Sequence, residues 1–208
     1  MRFLRVSETT AAIVALGLSV YNFWQNTLQP STLSVFVPPV ISYASPFQNS
    51  NFEAFTIPIT ITNDGARTGT VLSMTLVVTD PTKNMSKRFY SANFGRWTND
   101  KYRNGDLEPF APISLPARTS HTETVQFYAR SDEKVMQIVQ DIGRFQFALS
   151  LDATISEDLG LIDRLLNKAA QPLTFEMVLP ELDHRAFTSG AGTVMLHQKD
   201  WQSSIRAD

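Results

Sequence analysis

The residues best suited to chemistry are scattered. Three histidines occur, His121, His184 and His197, with Glu123 two residues beyond the first, Asp183 before the second and Asp200 near the third. A helical metal site needs two imidazoles one turn apart, as in H-x-x-x-H, and no such pair is present. Only a fold that gathers Asp183, His184 and His197 would make a site of them; otherwise they read as solvated surface side chains. The chain has no cysteine, which excludes thiolate catalysis, a disulfide framework and any cysteine-ligated zinc or iron–sulfur centre. No G-x-S-x-G elbow occurs, and Ser189-Gly190-Ala191-Gly192 lacks the lysine and the strand-to-helix setting of a phosphate loop. Asp132/Glu133 and Glu157/Asp158 stand at expected helix starts, where carboxylates complement the helix dipole. The expectation is a protein with no catalytic, cofactor-binding or metal-binding residues.

Recognition chemistry is better represented. Residues 95–106 have no hydrophobic period and read as a long loop carrying Arg96, Trp97, Lys101, Tyr102 and Arg103. Aromatic and guanidinium side chains dominate binding hot spots, and long loops in compact domains are often functional. These five residues are the candidate partner-binding group. The bland alternative is that Trp97 and Tyr102 fold back over the end of the domain while the charges stay in water.

The N-terminus decides what must hold such a loop. Between Glu8 and Glu53 there is no charged residue, and an apolar run from Ala11 to Trp24 follows Arg2 and Arg5. Thr9 to Leu28 as a helix would be roughly 30 Å long, the thickness of a bilayer core. The reading is a membrane-spanning signal-anchor over residues 1–28, with Trp24 at the membrane interface and the N-terminus cytoplasmic. Ala11, Ala15 and Ser19, four apart, would form its helix-packing face. A cleaved signal peptide is the first rival, weakened because Tyr21 to Asn26 contains no small-residue cleavage site. A buried or peripheral helix is the second, although an interfacial helix should carry a basic face.

Residues 29–52 are an uncharged connector rich in Pro, Ser and Asn, with a first strand near Thr32–Val37 ended by Pro38-Pro39. Strong alternation then begins. Phe55, Ile57, Ile59 and Ile61 share one face, with Pro58 on the other, so that this strand reads as an edge or a bulged one. Leu72, Met74, Leu76 and Val78 alternate next, then Lys87 to Phe94, then Val125, Phe127 and Ala129. Phe145 to Leu151 and Leu173 to Leu179 follow, and Thr193 to Leu196 could return to a sheet edge. Helical spacing is read at 132–142 and at 159–170. Asn84-Met85-Ser86 matches the short glycosylation sequon. The net charge of −2 offers no basic field for nucleic acid. The expected fold class is mainly β: a membrane helix, then an antiparallel sandwich over 53–180 with two short helices in its connections, then a C-terminal extension over 181–208.

The segment Ile57-Pro58-Ile59-Thr60-Ile61-Thr62-Asn63-Asp64-Gly65, followed by Phe110 to Ser120 and Val125-Gln126-Phe127, resembles the immunoglobulin-like, CARDB-type modules of bacterial surface and periplasmic proteins. The resemblance covers about residues 55–130 and implies an Ig-like sandwich that binds, spaces or braces. The expected function is therefore a non-catalytic, membrane-anchored accessory subunit. Its periplasmic domain would dock or brace an integral membrane complex, with the lipid bilayer as a further partner. The alternative is a freestanding ligand- or glycan-binding module that uses Trp97 and Tyr102.

Overall fold

The computed structural model describes residues 2–46, 53–95, 107–130, 137–155, 172–181, 184–185 and 193–198. A helix, α1 (Arg2–Phe23), leads into a single π-turn, Trp24–Leu28, and then into strands. These are β1 (Leu33–Phe36), β2 (Val40–Ala44), β3 (Ala54–Asn63), β4 (Gly69–Asp80), β5 (Met85–Phe94) and β6 (Glu108–Pro109). They are followed by β7 (Ile113–Leu115), β8 (Thr119–Ala129), β9 (Gly143–Ile155), β10 (Leu173–Leu179) and β11 (Thr193–Gln198).

The strands close on themselves. The order β5-β8-β3-β2-β11-β10-β9-β4 returns to β5 through a β4–β5 pairing, and every pairing in that ring is antiparallel. The result is a closed eight-stranded barrel with β1, β6 and β7 added outside the ring. This corrects the expected Ig-like sandwich. A sandwich keeps two sheets with free edges, whereas closure removes them. Two long-range pairings make the difference: β11 inserts between β10 and β2, and β5 bridges β4 and β8. The 193–198 strand is thus a full member of the ring, not a return to an edge.

Alternation explains most inward side chains. Ile41 and Tyr43 of β2, Phe55, Ile57, Ile59 and Ile61 of β3, and Phe145, Phe147 and Leu149 of β9 are all buried. An aromatic cluster fills the centre: the Phe55 ring lies 4.8 Å from Phe89 and 5.5 Å from Phe147, both edge-on, and 5.0 Å from Tyr43. Phe147 stacks on its cross-strand partner Phe175 at 5.1 Å.

Several local readings change. The connector at 29–52 contains β2, a strand of the ring between Pro39 and Pro46. Strand β3 is not an edge: β8 pairs with its whole length, and on its other side β2 pairs with residues 54–56 and β1 with 60–63. Pro58 falls in the gap between those two partners, where a missing N–H breaks no ladder. Leu72 is exposed, although Met74, Leu76 and Val78 point inward. A bulge between Val71 and Ser73 shifts the alternation by one residue and turns Leu72 out. Residues 137–142 are not helical; Ile138 and Val139 are buried as an irregular segment over one end of the barrel. The expected helix at 159–170 lies outside the described residues.

The expected membrane span is also corrected: among the described residues no helix is long and apolar enough to cross a membrane. Arg2, Arg5 and Glu8 occupy the first turns, so the uncharged helical part runs only from Thr9 to Phe23, about 22 Å at ~1.5 Å per residue. Trp24–Leu28, counted on to complete the span, is instead a π-turn tied to the barrel. The signal-anchor and transmembrane readings fall with it.

Candidate docking site

Helix α1 stands off the barrel. From Thr10 to Phe23 every residue is exposed, including Ile13 at 69 %, Leu16 at 66 %, Val20 at 60 % and Phe23 at 57 %. Trp24 is 40 % exposed in the π-turn, and Ala11, Ala15 and Ser19 lie along the exposed helix. Ser19 Oγ donates back to the carbonyl of Ala15 at 2.8 Å, so its hydroxyl is satisfied without outside help. At ~100° per residue, Ile13, Leu16 and Val20 share one face. Val14, Leu18 and Tyr21 share another, roughly 130° round the helix. A helix apolar on two such faces is normally enclosed.

The base of the helix is a built joint. The N–H of Gln29 donates to the Trp24 carbonyl at 2.9 Å and closes the π-turn. Arg118, held at φ 54°, sends Nη2 to the carbonyl of Gln25 at 3.1 Å and to Asn26 Oδ1 at 2.8 Å. A guanidinium at the carbonyl end of a helix also complements its dipole. The Arg118 N–H donates to the Gly65 carbonyl at 3.2 Å, and the Ala66 N–H donates to Gln29 O at 3.1 Å.

Beneath lies Asn63, fully buried. Its Oδ1 accepts the N–H groups of Thr32 and Gly65 at 3.2 and 3.0 Å, while Nδ2 faces the carbonyls of Arg67, Leu115 and Pro116 at 2.7, 3.1 and 3.1 Å. Two donors on one side and three acceptors on the other fix the orientation of the amide. Three chain segments, 29–32, 63–67 and 115–118, therefore meet at one side chain. Gly65 lets them approach: a Cβ there would stand 2.0 Å from the Pro30 carbonyl oxygen. The Asn-Asp-Gly turn was visible in the sequence; that it receives the helix was not.

A second polar cluster is sealed inside the barrel. Lys87 Nζ lies 2.5 Å from Glu53 Oε2, with neither side chain exposed. Glu53 Oε1 accepts Tyr43 Oη at 2.5 Å and the Ile138 N–H at 2.8 Å. Burial, then the adjacent Glu53 charge, push the Tyr43 phenol well above its ordinary pKa of 10.0. Sequence reasoning missed these residues. The available signal was parity, since Glu53 is in phase with inward Phe55 and Lys87 with inward Phe89. Sealed on all sides, the cluster braces the irregular 137–142 segment, and Lys83 pins that segment from outside through Asp141 at 2.7 Å and Gln140 at 2.8 Å.

A shallow hollow of about 470 Å³ lies outside the β4–β9–β10 sheet, lined by Val77, Thr79, Gln146, Ala148, Thr174 and Glu176 among others. Among the described residues no group of three or more His, Cys, Asp or Glu could hold a metal ion. His121, on β8, has Glu123 at 3.7 Å. Arg96, Trp97, Lys101, Tyr102 and Arg103 lie outside the described residues, as do Asp183 and Asp200.

No protein-family model matches the chain, and no curated protein does. Among solved structures, the putative ApaA protein from Bordetella pertussis matches with a TM-score of 0.36 and 12 % identity, over 82 % of this chain and 97 % of that one. A β-glucosidase from Listeria innocua in complex with glucose matches at 0.30 and 15 % identity, over 60 % of this chain and 16 % of that one. A β-glucosidase involved in saponin metabolism from intestinal bacteria matches at 0.32 and 20 % identity, with the same coverage. None of these is described as a CARDB-type module, and at such TM-scores none carries an argument about fold or function.

Proposed function

We propose that this chain is a non-catalytic accessory subunit that attaches to a larger helical assembly through α1, with the barrel as a rigid body carried by that attachment. The observation that carries the reading is the exposure of large apolar side chains around α1, in a stretch with no charge from Thr9 to Phe36. Burying such a side chain is worth roughly 1.5–3 kcal/mol. Enclosing the helix would therefore yield on the order of 10 kcal/mol before the costs of association. A second helix laid along one face would leave the other in water, so the partner must surround α1 with several apolar helices. Integral membrane complexes present helices of that chemistry, and α1 can lodge among them without itself crossing a bilayer.

The test is mild detergent extraction of native membranes, separation by size and identification of the co-migrating chains. The full-length chain is expected in one defined large complex. Leu16→Glu and Val20→Glu, at exposed helix positions, are expected to release it. Migration of the unsubstituted chain on its own would overturn the proposal.

A further inference from the structure

The geometry points to Arg118 as a positioning residue that presents α1 at one fixed angle, so that a partner receives the helix and the rim of the barrel together. This rests on the docking reading above for its purpose, but not for its physical content. A tether would leave the helix free to swing about residues 24–32. Here the swing is blocked at three levels. Arg118 grips the Gln25 carbonyl and the side-chain oxygen of Asn26. The Ala66 and Asp64 N–H groups hold the carbonyls of Gln29 and Thr32 at 3.1 and 2.9 Å. Gly65 is pressed against Pro30 and Ser31 so closely that no side chain fits.

Arg118 itself has little freedom. Its left-handed backbone at φ 54° is costly for a residue with a side chain, and persists because its N–H is held by Gly65 O. That conformation aims an exposed, flexible side chain back at the helix rather than into water. The π-turn adds a second constraint, because the Gln25 carbonyl that Arg118 holds lies within it. Asp64 and Arg118 are exposed on the two turns that receive the base of the helix, a polar collar beneath an apolar shaft. The partner this fits has an apolar cleft between helices and a polar rim at its mouth. The collar sets how deep, and at what tilt, the shaft can enter.

The chain lacks cysteine, so paired spin labels can be placed uniquely. Ala12→Cys on the shaft and Ser150→Cys on β9, both at exposed positions, report the helix-to-barrel distance in the full chain without any partner. Pulsed electron resonance is expected to give a single narrow distance peak. Arg118→Ala should lose that peak to a broad distribution, while Asn26→Asp, which strengthens the acceptor, should keep it. A pair within the barrel, Ser150→Cys on β9 with Ser86→Cys on β5, should stay narrow in Arg118→Ala and so separate loosening of the joint from unfolding. A broad distribution in the otherwise unsubstituted chain, or a narrow one in Arg118→Ala, overturns the inference. Failure of the docking reading would appear separately, as loss of co-migration with the narrow peak intact.

Discussion

Inside the barrel the ammonium of Lys87 lies 2.5 Å from Glu53 Oε2, and neither side chain reaches the surface. The pair joins the residue just before β3 to the third residue of β5, two strands separated in the ring by β8. It also gathers Tyr43 of β2 and the backbone of Ile138, so four separate segments depend on one carboxylate.

Removing one member should therefore be expensive. Lys87→Met leaves the Glu53 carboxylate buried without its counter-charge, a change that costs roughly 3–5 kcal/mol in comparable pairs. The double variant Lys87→Met with Glu53→Gln removes both charges and is expected to recover part of that loss. Urea unfolding of the three proteins measures it. Equal stability of the single variant and the unsubstituted chain would show that the pair contributes nothing.

Tyr43 gives the barrel an alkaline limit. Its phenol is raised in the folded state by burial and by Glu53, so the group binds its proton more tightly folded than unfolded. The linked stability is fully present below the unfolded value near 10.0 and falls as pH rises above it, because the unfolded chain then releases a proton that the folded chain retains. Tyr43→Phe should flatten that alkaline decline. At neutral pH it should lower stability by about 1–3 kcal/mol, through the lost hydrogen bond to a charged acceptor. Unfolding curves on either side of pH 10 test both statements, and a decline that persists in Tyr43→Phe would assign it to another group.

Two glycines should respond oppositely to alanine. At Gly65 the new methyl would meet backbone atoms, Pro30 O at 2.0 Å and Ser31 Cα at 2.6 Å. The joint must shift, and a loss of about 1–3 kcal/mol is expected from overpacking. At Gly17 nothing lies within 4 Å, and the helix should gain up to about 1 kcal/mol in propensity. Thermal melting reads the first change and helical circular dichroism the second.

Asn63→Ala should destabilise the protein by roughly 2–4 kcal/mol, since two backbone donors and three carbonyls share that one side chain. Asn63→Asp should be no milder, because a carboxylate would face three carbonyl oxygens. Hydrogen exchange should quicken first at Thr32 and Gly65, the amides that Asn63 Oδ1 holds. Loss of protection confined to other strands would contradict this account.

Local pattern carried much of the architecture. The β-branched alternation in β3 and the aromatic alternation in β9 specify strands with one buried face, because a period of two can bury only one set of side chains. The uncharged N-terminal run specified an apolar helix. It did not specify a span, because its length in space depended on where the barrel took hold of the chain, and Arg118 does so at Gln25. Val40–Ala44 was hidden between prolines, and five residues carry too little periodicity to stand out. The bulge beside Leu72 and the irregular path through Ile138 arise from pairings with distant strands, and helical spacing at 132–142 could not foresee that Glu53 would claim the Ile138 amide. The candidate loop at 95–106 stands out by composition, whereas the joint is assembled from three turns that are remote in sequence. What the residues settled alone was the alternation, the turns and the apolar character of α1, since those depend on neighbours along the chain. Closure of the barrel, the meeting of Glu53 with Lys87 and the anchoring of α1 through Arg118 and Asn63 were decided only when strands far apart in sequence paired. Pairing register is a relation between segments, and no single segment encodes it.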